Sequence, residues 1–216
     1  MGYKVIAPVG DNLDALFLGM KEFATEKVFL ITPKENMKKA KKLQKKLSIF
    51  SIPAEIIEIN GSVLECMFSS FGEICAYNDH DDIIVNVATG DRMSTCAALS
   101  AAFANGLKAF GIVGGKPMLM PIMKLSYYHE LTDSKLKILT NLSSDEFINL
   151  TDLGKKIGMS VSLLSYHLNG TIKYKGLRSL RLVDIKEQNK NLFVKQSDLG
   201  NLILKGYIPC EKNKCE

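Results

Sequence analysis

The sequence predicts an α/β N-terminal domain on a parallel sheet, joined to a smaller basic domain of short helices and strands. Three observations carry this. Short apolar runs alternate with amphipathic helical patterns as far as Pro121. Beyond about residue 130 the pattern changes to short helices and two polar-tipped strands. The charge divides at the same place. Residues 1–130 hold 14 basic and 14 acidic side chains, whereas residues 131–216 hold 14 basic and 9 acidic, so the whole net charge of +5 lies in the last two-fifths. Such asymmetry suggests two modules, one of which faces a polyanion. We place their bounds at 1–125 and 130–210.

The N-terminal elements follow in order. Lys4–Val9 is a buried-strand run stopped by Gly10 and Asp11. Leu13, Leu16, Phe17, Met20 and Phe23 then recur at helical spacing. Val28–Thr32 is a second strand, ended by Pro33, and Met37, Ala40, Leu43 and Leu47 mark the next helix. Ala54–Ile59 is a third strand. Ser62 and Glu65 then form a capping box, in which each satisfies the other's free amide. Asp82–Val87 is the fourth strand, with a helix from about Asp91 to Asn105 behind it. Lys108–Val113 is the fifth, and Met118–Met120 a candidate sixth. Strict alternation of this kind implies a parallel sheet covered on both faces, the Rossmann-like plan.

Ligands of such sheets sit at the carboxyl ends of strands, near the switch in strand order. Two strand ends carry suitable chemistry: Gly10, Asp11 and Asn12 after the first strand, and Asn86, Thr89, Gly90, Asp91, Arg92 and Met93 after the fourth. Gly90 permits a close turn, the following helix offers amides and a positive dipole end to phosphate, and Arg92 adds a bidentate cation. The plainer alternative makes Asp91 an N-cap and Arg92 a surface cation. Neither G-x-G-x-x-G after the first strand nor G-x-x-x-x-G-K-[ST] occurs, which argues against dinucleotide binding and P-loop hydrolysis. The six lysines between Lys38 and Lys46 lie opposite an apolar stripe and read as a solvated face.

In the C-terminal domain Leu136, Ile138 and Leu139 begin a helix, Leu150–Ile157 is a second, Gly158 and Met159 a tight turn, and Ser160–Leu168 a third. Leu153, Ile157, Val161, Leu164 and Leu168 are expected to share one core, leaving Ser162, Ser165, Tyr166 and Asn169 outward. Helix, glycine turn and Ser-capped helix describe helix-turn-helix geometry. Strand runs Leu180–Ile185 and Leu192–Lys195, around a polar tip at 187–191, fit a wing, and a helix from about Ser197 to Lys205 closes the unit. Between Lys155 and Lys195 nine basic residues face two acids, a local charge of +7. That is the footprint expected where the phosphates of double-stranded DNA are neutralised. Candidate DNA contacts are Ser160, Ser162, Ser165, Tyr166, His167, Asn169, Lys173, Lys175 and Lys190. A helix-turn-helix used only for protein contacts is the alternative.

The order of elements, with an N-x-x-x-G-x-[RK] turn after the fourth strand and a winged helix behind, resembles the CRISPR-associated Rossmann-fold (CARF) regulators of archaea. The resemblance implies a homodimer that binds a cyclic oligoadenylate across its two-fold axis. It assigns Gly10, Asp11 and Asn12 to the first ligand loop, and Asn86, Gly90, Arg92 and Met93 to the second. Where the family usually reads Gly-Gly-Thr, this chain has Thr89 for the first glycine and Asp91 for the threonine. A carboxylate beside a phosphate is unfavourable unless it is turned into the helix cap. The winged helix resembles the broad MarR/ArsR class.

The resemblance implies a ligand-responsive transcription regulator, not an enzyme. A cyclic-oligonucleotide phosphodiesterase in the Rossmann-like pocket is the first alternative, and a constitutive DNA-binding dimer the second. The superfamily's Arg-x4–6-His ribonuclease motif is absent, since Arg92, Arg178 and Arg181 precede no histidine at that spacing. No metal site is expected around His80, His129 or His167, and no cofactor. The N-terminus runs into the first strand without a signal-peptide pattern, and no run of eighteen apolar residues occurs. Cys66, Cys75, Cys96, Cys210 and Cys215 form no close C-x-x-C pair, which fits reduced thiols. A cytoplasmic protein without membrane contact is therefore expected.

Overall fold

The computed structural model describes residues 2–121, 127–171, 174–188 and 191–207. Two compact units divide the chain: one holds the residues up to Ser126 together with those from Gly206 onward, and the other runs from Tyr127 to Lys205.

The first unit is a six-stranded sheet. Its strands are β1 (Tyr3–Pro8), β2 (Thr25–Pro33), β3 (Ala54–Ile59), β4 (Ile83–Asn86), β5 (Lys108–Val113) and β6 (Lys116–Leu119). Helices α1 (Asp14–Glu22), α2 (Met37–Ile49), α3 (Val63–Ala76) and α4 (Arg92–Ala104) alternate with the first five strands. The sheet order is β3-β2-β1-β4-β5-β6. All pairings through β5 are parallel. The order therefore reverses between β1 and β4, which brings the loops after these two strands side by side.

Central strands of a parallel sheet are covered on both faces and carry unbroken apolar runs. Val5, Ile6, Ala7, Val28, Leu30, Ile31, Ile84 and Val85 are accordingly buried. Helix α4 presents Ala97, Ala98, Ala101 and Ala102 inward, small side chains that let a helix lie close to a sheet. In α1, Gly19 leaves room for the Phe110 ring, whose nearest carbon would lie 2.5 Å from a Cβ at that position.

The sheet is not wholly parallel, which corrects the expectation of strict alternation. β6 starts two residues earlier than expected and runs antiparallel to β5, with Val113 opposite Lys116. The cause is local. Gly114 and Gly115 both have positive φ (58° and 77°), as a two-residue hairpin turn requires, and no crossover helix fits in two residues.

The second unit holds α5 (Tyr127–Glu130), α6 (Asp133–Thr140), α7 (Leu150–Ile157), α8 (Val161–Asn169) and α9 (Asp198–Gly206). Its sheet has the order β7-β9-β8, from β7 (Ile148–Asn149), β8 (Val183–Gln188) and β9 (Asn191–Gln196). Ile138, Leu139, Leu153, Ile157, Leu164, Leu168, Leu182 and Val194 form its buried interior. Between α7 and α8 the chain turns at Gly158, which is left-handed (φ 70°, ψ 36°). The Met159 N–H then donates to the Gly154 carbonyl at 3.0 Å. Ser160 caps α8 by accepting from the Leu163 N–H at 3.2 Å.

Two details correct the sequence reading of this unit. Val161, expected in the core, is 45% exposed, because it is the first residue of α8 and overhangs the interior. The run at Leu180–Leu182 is a turn and not strand: Arg181 has φ 58°, while Leu180 and Leu182 are both buried.

Candidate functional site

The loops after β1 and β4 form one structure. The Thr89 carbonyl accepts from the Gly10 N–H at 3.1 Å and from the Asn12 N–H at 3.4 Å. Gly10 backs directly onto the Gly90–Asp91 peptide: a Cβ at residue 10 would lie 2.1 Å from the Asp91 nitrogen. Only glycine permits that approach. A Cβ at Gly90 would in turn sit 3.1 Å from Pro8, so the second loop also packs against the end of β1.

Asn86 and Thr89 hold this junction from below. Asn86 is fully buried; its Nδ2 donates to the Ala15 carbonyl in the first turn of α1 at 3.0 Å, and its Oδ1 accepts from the Ala88 N–H at 3.0 Å. The side chain thus ties the end of β4 to α1. Thr89 is 1% exposed, with its hydroxyl directed at the Asn86 carbonyl. Two residues outside the expected set anchor the β1 loop: Asn36 Nδ2 donates to the Val9 carbonyl at 3.1 Å, and Lys39 Nζ to the Gly10 carbonyl at 3.0 Å. Their only sequence signal was the polar start of the second helix.

Around this buried junction the exposed groups are Asp11, Asn12, Arg92 and Met93. Asp11 lies 3.7 Å from the Lys39 ammonium. Asp91 is turned into the helix: one oxygen accepts from the Ser94 N–H at 2.8 Å and the other from the Ser94 hydroxyl at 3.2 Å. The carboxylate is therefore the cap of α4; it leaves the amides of Arg92 and Met93 as the open donors of the turn and places one negative charge at the same helix end. The Arg92 guanidinium and the dipole of a thirteen-residue helix favour an anion there, and the Asp91 charge offsets part of that field. Between the β1 loop and α2 a cleft of about 330 Å³ is lined by Asp11, Asn12, Leu13, Asp14, Lys42, Leu43 and Lys46, and by no residue of the β4 turn.

In the second unit the outward residues of α8 include Ser162, Tyr166 and Asn169, with Ser165 half-buried and accepting from Asn169 Nδ2 at 3.2 Å. Ser160 serves as the cap. The Tyr166 and His167 rings meet edge-on at 5.3 Å. Burial, and secondarily the Lys135 ammonium, hold the His167 imidazole below its ordinary value. Lys135 is itself buried, donating to the Glu130 carbonyl at 2.9 Å, and burial lowers its own value. Lys175 is exposed and 4.0 Å from Glu130. Lys173 and Lys190 lie outside the described residues. No group of three or more His, Cys, Asp or Glu suited to a metal occurs among the described residues, nor any helix long and apolar enough to cross a membrane.

A family model described as "HFX_2341_N:-like, N-terminal" matches residues 5–113, from β1 to the end of β5. The chain belongs to this family. The matched residues include both candidate loops, from Gly10 to Met93. Comparison with curated proteins gives no match. Among solved structures, one similar chain is described as a type III CRISPR defence DNA nuclease activated by cyclic oligoadenylate (14% identity, TM-score 0.43, 55% of this chain and 20% of that one). Another is Can2 from Sulfobacillus thermosulfidooxidans in complex with cyclic tetra-adenylate (13% identity, TM-score 0.46, 94% and 61%). A third is protein VC1899 from Vibrio cholerae (11% identity, TM-score 0.48, 94% and 64%). The HFX_2341_N-like chain thus spans less than two thirds of the length of each of these three.

Proposed function

We propose that this chain is a homodimeric, ligand-responsive DNA-binding regulator. Its first unit senses a cyclic oligonucleotide, and its second is a winged helix-turn-helix that binds duplex DNA. The observation that carries the DNA-binding half is the α7–Gly158–Ser160–α8 turn, with the β8–β9 hairpin following, in a stretch of +7 between Lys155 and Lys195. A short helix, a tight left-handed turn and a capped second helix place one helix face outward, and the flanking cations supply phosphate contacts. Two such units in a dimer read half-sites about one DNA turn apart.

The sensing half is supported by the junction of the β1 and β4 loops at the switch point, with Arg92 and the first amides of α4 presented to an anion. The CARF resemblance of the same residues suggests a cyclic oligoadenylate as that anion. Sensing is favoured over turnover because the Asp91 carboxylate, the acid nearest Arg92, has both oxygens committed to Ser94 and serves as a cap.

The test is fluorescence anisotropy of the full chain on a random-sequence duplex at several salt concentrations. A linear fall of log affinity with log salt, with a slope corresponding to several phosphates, is expected. Absence of binding even at low salt would overturn the DNA-binding half. Incubation with labelled cyclic tetra-adenylate should leave the ring intact; linear products would overturn sensing in favour of cleavage.

A further inference from the structure

We infer that α8 reads thymine methyl groups and adenine edges, so that the bases beneath it are A·T pairs. This rests on the DNA-binding reading above. On a helix advancing about 100° per residue, Ser162, Leu163, Tyr166 and Asn169 share one face of about 120°. Leu164 and Leu168 point the opposite way and are buried. Leu163 is 42% and Tyr166 44% exposed, so the outward face of this nine-residue helix carries apolar carbon next to its polar groups. Val161 adds a third exposed apolar side chain at the N-terminal end.

The chemistry of this face is selective by what it contains. Guanine is read chiefly by Arg or Lys on O6 and N7, and cytosine by Asp or Glu accepting from N4. α8 carries no residue of either kind: its nine residues are Val, Ser, Leu, Leu, Ser, Tyr, His, Leu and Asn. What it presents is apolar carbon, the partner of the thymine C5-methyl, the Tyr166 hydroxyl, and the Asn169 amide, which gives one N–H to Ser165 Oγ at 3.2 Å and keeps its oxygen and second N–H for adenine N6 and N7. The Ser162 hydroxyl accepts any base edge. The cations lie on the flanks instead. Lys155 and Lys156 end α7, and Lys175, Arg178 and Arg181 follow α8. Phosphate contacts are thereby separated from base contacts along the chain, and the whole of the charge is spent on the backbone.

The experiment selects duplexes from a random pool with the full chain, then remakes the winning site with deoxyuridine for individual thymines. That exchange removes one methyl group and changes no hydrogen bond. Selected half-sites should be A·T-rich, and each methyl lost under α8 should weaken binding about fourfold, the value of one buried carbon. Leu163→Ser should weaken the thymine duplex to the level of its deoxyuridine counterpart, with Tyr166→Ser as a second probe of the same face. Both sites are exposed, so both variants should fold. Equal affinity of the wild type for thymine and deoxyuridine duplexes would overturn this inference and leave the DNA-binding reading standing. So would a selected site whose essential guanine is lost on Arg178→Ala. No retention of any duplex at low salt would overturn both.

Discussion

Replacing Gly10 by alanine tests the junction on which the proposed sensing site is built. The new methyl would begin 2.1 Å from the Asp91 nitrogen and 2.4 Å from the Gly90 carbonyl carbon, both backbone atoms that cannot rotate away. The two loops must separate. Separation breaks the bonds from the Gly10 and Asn12 amides to the Thr89 carbonyl, together worth about 2 kcal/mol. Overpacking adds about 1–3 kcal/mol. The sum, about 3–5 kcal/mol, corresponds to a fall in the melting temperature of the first unit of about 11–19 °C for a unit of this size. Scanning calorimetry reads it directly. Gly61→Ala is the control: its φ is +93°, but nothing lies within 4 Å of its Cβ, so only the backbone conformation costs, about 1 kcal/mol. A Gly10→Ala protein that melts within a few degrees of wild type would refute the close approach and, with it, the joined-loop site.

Four further outcomes follow. Asp91→Ala removes the acceptor of the Ser94 amide and should cost about 1 kcal/mol by urea unfolding, whereas Asp91→Ser should recover most of it. The His167 imidazole is held below 6.5 by burial and then by Lys135, so the native unit binds fewer protons than the unfolded chain. Its stability should therefore decline as pH falls through about 6.5 and level off once the native ring is charged too; His167→Gln should flatten that slope, and an unchanged slope would contradict the assignment. In Lys135→Met the ring should titrate higher by NMR, yet still below 6.5, since burial is the larger cause. Lys175→Ala should weaken binding to all duplexes alike and reduce the salt slope by about one, whereas a sequence-selective effect would make it a base contact.

Much of the fold could be read from the chain because its signals are local. A strand covered on both faces must be apolar throughout, and Val28–Ile31 and Ile83–Val85 announce themselves in that way. The Gly158 turn and the Ser160 cap are likewise choices of one residue each. What escaped depends on partners distant in sequence. β7 is two residues long and exists only because Ile148 and Asn149 pair with Val194 and Phe193. Leu180–Leu182 has the composition of a strand, but the positive φ of Arg181 turns it. The candidate site shows the same division. Arg92, Met93, Asp11 and Asn12 are exposed at the strand ends where their positions put them. Asn86, which reads as a ligand residue from its place at a strand end, spends its amide on Ala15, 71 residues away. Asn36 and Lys39 support the β1 loop through main-chain carbonyls, and no motif advertises such contacts.

The central claim is that a ligand at the β1–β4 junction governs DNA binding by the second unit. The most direct measurement is duplex affinity with and without cyclic tetra-adenylate, for the wild type and for Arg92→Ala. The ring should change wild-type affinity by about 5- to 150-fold, the range of a coupling of 1–3 kcal/mol. The Arg92→Ala protein should bind DNA as the ligand-free wild type does, at every ring concentration. Wild-type affinity that stays the same with saturating ring, or an Arg92→Ala protein that responds in full, would contradict the account.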